Sequence, residues 1–433
     1  MKFSERLVHL VPPGRGGAPD RPPERALDHH GPTEAVDPLA HVRAKLAELT
    51  GAQQLRQATD SVRPRPDSKK APHTFVELPF VRVETEHGPL FQRTKRLGPA
   101  ERVGRYELHR ASDADPELLS LLALDPSLAN CKPSGALYFD TETTGLGGAG
   151  SLAFLVGLSF QTEDGGWVLE QLLLRHPGEE VALLVRIKEL VEAASLVVSF
   201  NGRSFDWPLL QSRFVMNRLE QMSVRPHLDL LHVARRVHKR RLGRCRLVDL
   251  ETEVLGFMRG DDDIPGLEIP PRYGHFLRTG DEEALVAVVD HNALDVMTMV
   301  ALVGLYGQPF LSENIDDLCC GAETLLRAKD FLRAERFAQR VIDRGSDQAG
   351  LLLRGKARKA RGDIALALSD FERLSRDLDD PGVRLILAKI YEHHVRDFER
   401  ALALTEQGTG EDEAAGVRRM ARLKRKVARS QDL

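Results

Sequence analysis

The sequence predicts an α/β domain, a mixed sheet flanked by helices, followed by an all-α region. Three observations predict it. The strand-like runs Leu137 to Asp140, Leu152 to Phe160 and Trp167 to Leu174 are separated only by a Gly-rich 145–150 and a Glu163-Asp164-Gly165-Gly166 turn, the order of an antiparallel meander. A helical stripe (Val181, Leu184, Ile187, Leu190, Val191), a fourth buried strand (Ser195 to Phe200) and further helices follow, ending in a long helix from about Glu282 to Leu305. From about 321 onward the pattern is helical throughout.

The chain has 433 residues, too many for one ordinary core, so two or three domains are expected. A net charge of −3 gives no global basic character, so any contact with a polyanion must come from a local patch. Cys131, Cys245, Cys319 and Cys320 have neither C-x-x-C nor zinc-type spacing, and a reducing cytoplasm is the simple expectation. No run reads as long enough to span a membrane, and Leu7 to Pro12 is too short for a signal peptide.

Taken in order, residues 1–72 read as largely disordered linker. Pro, Gly, Arg and Asp dominate to about 38, and a polar linker covers about 56 to 72. One short amphipathic helix is expected between them, carrying Leu39, Val42, Leu46 and Leu49. Residues 73–134 read as a small β-containing module or an edge addition to the next domain. The α/β domain is expected over 135–306 and a linker over 307–320. In 321–428, Asp330-Phe331, Asp363-Ile364 and Asp397-Phe398 each precede an alanine three residues after the hydrophobe: Ala334, Ala367 and Ala401. Intervals of 33 and 34 residues resemble the tetratricopeptide repeat in degenerate form, and so a possible protein-partner surface.

The chemistry centres on Leu137-Tyr138-Phe139-Asp140-Thr141-Glu142. In a strand, residues i and i+2 face the same side, so Asp140 and Glu142 project together from a buried strand's end. Such a pair repels itself unless a cation intervenes, and a hard divalent metal is the usual answer. The same spacing at Asp249/Glu251, Asp281/Glu283, Asp370/Glu372 and Asp397/Glu399 reads as solvated helix faces. Asp206 stands where a strand broken by Asn201-Gly202 meets a helix near Pro208; taken alone it is a capping residue. His291 and Asp295, four apart on the long helix, share a face.

In this order, strand Asp-x-Glu, then Phe200-Asn201-Gly202-Arg203-Ser204-Phe205-Asp206, then His291-Asn292-x-x-Asp295-Val296, the chain resembles the DEDD exonuclease superfamily on the RNase H-like fold, most closely its YprB-type branch. The resemblance implies that Asp140, Glu142, Asp206 and Asp295 hold two Mg²⁺ or Mn²⁺ ions and that His291 is the general base of a 3′-to-5′ exonuclease acting on DNA or RNA. Histidine-type members usually place four residues between base and last aspartate. Here there are three, the spacing of tyrosine-type members, and Tyr273 is a weak substitute that more simply packs.

Thr143, Thr144 and Gly145 are candidate contacts to the terminal nucleotide, Asn201 to the substrate and Arg203 to a phosphate; turn formation and a surface ion pair are the structural readings. Arg235, Arg236, Lys239, Arg240, Arg241, Arg244 and Arg246 form a basic run, either a solvated face or a phosphate-tracking surface. In His227-Leu-Asp229-Leu-Leu-His232, strand spacing puts His232 opposite the other two, which leaves Asp229 a supporting or structural role. Nucleic acid, with single-stranded ends foremost, is the expected partner, the cytoplasm the expected location, and no membrane contact is expected. Two alternatives remain: a nucleic-acid-binding scaffold that does not cut, and a structure-specific endonuclease using the same metal site.

Overall fold

The computed structural model describes residues 77–98, 100–145, 150–308 and 314–431. The expected disorder, helix and linker before residue 73 lie outside them. Strands β1 (Val81–Thr85) and β2 (Gly88–Leu97) form a hairpin closed at Gly88, whose φ of +106° favours glycine. A two-residue ladder, β3 (Arg102–Val103) with β4 (Tyr106–Glu107), and helix α1 (Pro116–Ala123) follow. Then come the meander strands β5 (Ala136–Thr143), β6 (Ala153–Gln161) and β7 (Trp167–Leu173). Helix α2 (Glu180–Ala193), β8 (Leu196–Ser199), α3 (Asp206–Met216), β9 (His227–Asp229) and α4 (Leu230–Leu242) complete the alternation.

The seven-stranded sheet runs β1-β2-β7-β6-β5-β8-β9. Its first four pairings are antiparallel, whereas β5–β8 and β8–β9 are parallel, the mixed sheet expected from the sequence. Residues 81–97 therefore add two strands to the edge of the α/β sheet, along β7. On β5, Ala136 and Tyr138 belong to one apolar core while Leu137 and Phe139 belong to the other, as period-two alternation requires.

The short α5 (Leu247–Leu250) runs into a π-helical turn, Glu251–Leu255, before α6 (Ile269–Thr279) and the long α7 (Glu283–Tyr306). Helix α7 has 24 residues and a mean hydropathy of 1.5 over its most apolar window, so a segment of membrane-spanning length and composition does exist, contrary to the sequence reading. The physical reason is packing on both sides of the sheet. Leu285, Val288 and Val289 sit in one core and the run from Val296 to Val303 in the other, so little of the helix needs a polar face.

An all-helical region follows: α8 (Ile315–Arg327), α9 (Phe331–Asp343), α10 (Asp347–Arg361), α11 (Ile364–Asp377), α12 (Pro381–Ile390), α13 (Phe398–Glu406) and α14 (Glu413–Gln431). Helix α8 begins inside the stretch read as linker. The recurring motif falls on equivalent positions: Asp330, Asp363 and Asp397 are the N-cap residues of α9, α11 and α13, and Ala334, Ala367 and Ala401 are fully buried. Asp370, read as solvated, is buried because Arg354 and Arg358 both clamp it.

Candidate active site

Four carboxylates reach one cleft from three elements. Strand β5 brings Asp140 and Glu142 to its end, where the pairing with β6 slips between Glu142 and Thr143, a bulge of the kind that re-aims side chains. Asp206 lies in the first turn of α3, and its carboxylate accepts a short hydrogen bond from the Thr141 hydroxyl. The Asn201-Gly202 turn lets the chain come this close. Asn201 adopts φ +67°, and a Cβ on Gly202 would stand 2.9 Å from Asp206 Oδ2 and 2.6 Å from Ser199 Oγ. Asp229 fixes that turn, accepting from the Asn201 and Arg203 amides at 2.8 and 3.3 Å and capping α4 through Leu231 N. Asp295 arrives from α7.

The neighbouring charges raise the pKa of the β5 carboxylates. Burial, then the charges of Asp295, Glu142 and Asp206, push Asp140 well above the carboxylate range. Burial, then Asp295 and Asp206, push Glu142 up to about 8 against the pull of Arg259. Burial also raises Asp206 and Asp295, the latter opposed by Arg259 and His291. Asp140, Asp206 and Asp295 each also have a protein partner. Among the described residues no three His, Cys, Asp or Glu side chains stand in a ready ligand arrangement, and Arg259, Asn292 and Thr141 each engage one of these carboxylates. The cluster still fits divalent cations: four oxygen-donor carboxylates in a poorly hydrated cleft carry more negative charge than one guanidinium offsets, and hard oxygen donors suit Mg²⁺ and Mn²⁺.

His291 and Asp295 approach at 3.6 Å, Nε2 to Oδ2, as their helical spacing predicts. His291 Nδ1 lies 2.7 Å from Asp263 Oδ1 and 3.1 Å from the Arg259 guanidinium. Burial would raise Asp263, but the His291 hydrogen bond and Arg259 hold it below the usual range. An ionised carboxylate only accepts, so the shorter contact puts the imidazole proton on Nδ1 and leaves Nε2 bare on the Asp295 side. Tyr273 packs: its hydroxyl donates to Leu174 O at 2.9 Å and its ring stacks on Phe154.

Sequence reasoning gave no site role to four residues here, Asn292, Glu251, Arg259 and Asp263. Asn292, wholly buried, donates to Asp140 Oδ2 at 3.0 Å, and its own oxygen accepts from Gln171 Nε2 at 3.0 Å. Glu251, read as part of a solvated face, is wholly buried; it grips Arg259 with two bonds of 2.6 Å and accepts a third from Thr298. The correction has a cause in the π-helical turn, which turns Glu251 inward. Arg259 carries that charge on to Asp295, and Asp263 orients His291.

The substrate candidates are more mixed. Thr143 Oγ1 donates to Gly145 O and Thr144 Oγ1 accepts from Leu152 N, so both hydroxyls serve the turn. The Arg203 guanidinium is exposed, 3.5 Å from Asp125. His232 lies on α4 rather than on a strand, because that helix starts at Leu230, and it is exposed. His227 is buried against Ser199 Oγ at 2.7 Å, and desolvation pushes its pKa down to about 4.

Residues 137–306 match the RNase_H_2 family, described as RNase_H superfamily. The Bacillus subtilis (strain 168) protein YprB, described only as uncharacterized, is 34% identical over 312 residues, 67% of this chain and 75% of that one. The chain belongs to the YprB family. A second relative of this YprB-family chain, the uncharacterized protein MJ0365 of Methanocaldococcus jannaschii, is 28% identical over 162 residues, 36% of this chain and 86% of that one. Among solved structures, the family B DNA polymerase from the hyperthermophilic archaeon Pyrobaculum calidifontis aligns at 16% identity and a TM-score of 0.32, over 46% of this chain and 29% of the polymerase. The RNase H-like sheet and its all-helical extension are thus the architecture of this YprB-family chain.

Proposed function

We propose that this chain is a metal-dependent 3′-to-5′ exonuclease that hydrolyses phosphodiester bonds of DNA or RNA with two Mg²⁺ or Mn²⁺ ions. One observation carries the reading: Asp206 and Asp295, from α3 and α7, stand close enough to Asp140 and Glu142 on β5 for their charges to raise the pKa of both. When bound, two divalent ions supply water activation and stabilisation of the leaving oxygen. The four carboxylates would hold them, losing on binding the protons that burial and mutual repulsion favour, with the dications offsetting the negative charge so created. His291 would take the proton of the attacking water at Nε2, with Asp263 keeping the other nitrogen protonated. Glu251 and Arg259 would hold Asp295 in place. The polarity rests on the resemblance to the DEDD superfamily.

The test is end-labelled single- and double-stranded DNA and RNA incubated with Mg²⁺, Mn²⁺ or chelator and resolved at nucleotide resolution. Stepwise ladders receding from the 3′ end, abolished by chelator, are expected. Internal cuts would replace the exonuclease reading with an endonuclease; binding without products would replace it with a scaffold.

A further inference from the structure

The basic run of α4 and the loop after it divides into two sets of side chains. Arg240 pairs with Glu323 at 2.8 Å, Arg241 with Asp317 at 3.0 Å, and Arg236 reaches the Leu122 carbonyl, so these three tie α4 to α8 and α1. Arg235, Lys239 and Arg244 are exposed and have no ion-pair partner among the described residues. They line a groove of about 550 Å³ together with Phe200 and Asn201. The next residue, Gly202, is the one packed against Asp206, so the groove opens beside the carboxylate cluster.

We propose that this groove binds the sugar-phosphate backbone of the polynucleotide strand leading into the cleft, a placement that rests on the nuclease reading of the carboxylates. Three cations without an ion-pair partner among the described residues, set along one groove, attract consecutive phosphates. Arg235 and Lys239, four apart, stand about one helical turn from each other on the same face of α4. The half-buried Phe200 offers an apolar surface for a base, the usual complement to such cations in single-strand recognition. A polyanionic substrate needs a cationic approach, and these side chains supply it. Asn201, whose backbone is pinned to Asp229, joins the two surfaces.

The experiment is fluorescence anisotropy of the full chain with a fluorescein-labelled oligothymidylate in EDTA, across a salt series. Each phosphate contact contributes about 0.7 to the slope of log K against log salt for a single strand. Replacing Arg235, Lys239 and Arg244 together with glutamine should flatten that slope by about 2 and weaken binding about a hundredfold at 0.1 M salt relative to 1 M. Arg240→Gln, on the ion-paired face, should bind as the unmodified chain does. Lys239→Glu alone, at an exposed position, should move affinity in the same direction and covers the case where the triple variant fails to fold. Unchanged binding by the triple variant or by Lys239→Glu overturns the groove, as does displacement by polyglutamate at equal charge, which would mark an acidic-peptide site. Binding that responds as expected without any hydrolysis in Mg²⁺ would leave the groove standing and remove the nuclease reading.

Discussion

The Asn292 carboxamide donates to Asp140 Oδ2 at 3.0 Å, joining the last helix of the α/β domain to the strand that opens its meander. Gln171 of β7 holds the other end of that carboxamide. The helix approaches so closely because Gly157, paired with Asp140 across β5 and β6, has no side chain: a Cβ there would collide with the Asn292 carboxamide and come within 2.8 Å of Val296.

Gly157→Ala should therefore damage fold and site together. Overpacking of this kind costs about 1–3 kcal/mol, and α7 must move away from β6, taking Asn292 and Asp295 with it. Chemical denaturation and a hydrolysis assay on the same preparation would check this. A variant as stable and as active as the unmodified chain would contradict the packing argument.

Arg259→Ala should destabilise the chain by about 3–5 kcal/mol, the cost of leaving a buried charge without its partner. Glu251 would keep only Thr298. In a double-mutant cycle, Glu251→Gln combined with Arg259→Ala should cost less than the sum of the two single changes. Additive costs would mean that the pair does not act as a unit.

If His291 is the base, His291→Ala should lower the hydrolysis rate by about 10²- to 10⁴-fold with little loss of metal affinity. Asp263→Asn should lower it by a smaller factor, since it frees the imidazole to take the wrong tautomer. Single-turnover rates measured across pH would separate the two. An unchanged pH profile for His291→Ala would move the base elsewhere.

Glu142 is pushed up to about 8 in the folded chain, chiefly by burial. Between the ordinary glutamate value and about 8 the metal-free folded state therefore holds a proton that the unfolded state has lost, and stability falls as pH rises through that window. In EDTA, the melting temperature should drop toward pH 8, and Glu142→Gln should lessen the drop. Mg²⁺ or Mn²⁺ should restore stability most at the alkaline end, where the ions meet ionised carboxylates. A melting temperature equally insensitive to pH and to metal would contradict this.

What the sequence made legible follows from local physics. The strand carrying Asp140 and Glu142 is visible because alternation and the following turn are local signals. The His291–Asp295 pair follows from helical spacing alone, and Asp206 becomes visible through its strand-Asn-Gly context. Glu251 and Arg259 were hidden because Asp-x-Glu on a helix looks solvated, and only the π-helical turn and the neighbouring α7 reverse that. Asn292 was hidden because its partners, Asp140 and Gln171, lie more than a hundred positions away. The basic run was legible as charge but not as two faces, since the acids neutralising Arg240 and Arg241 belong to α8.

The most direct test is Mn²⁺ stoichiometry, measured by titration calorimetry on the full chain near pH 8. The carboxylate cluster predicts two saturable Mn²⁺ ions per chain, with at least one lost in Asp140→Ala and in Asp206→Ala. No saturable Mn²⁺, or binding unchanged in both variants, would contradict it.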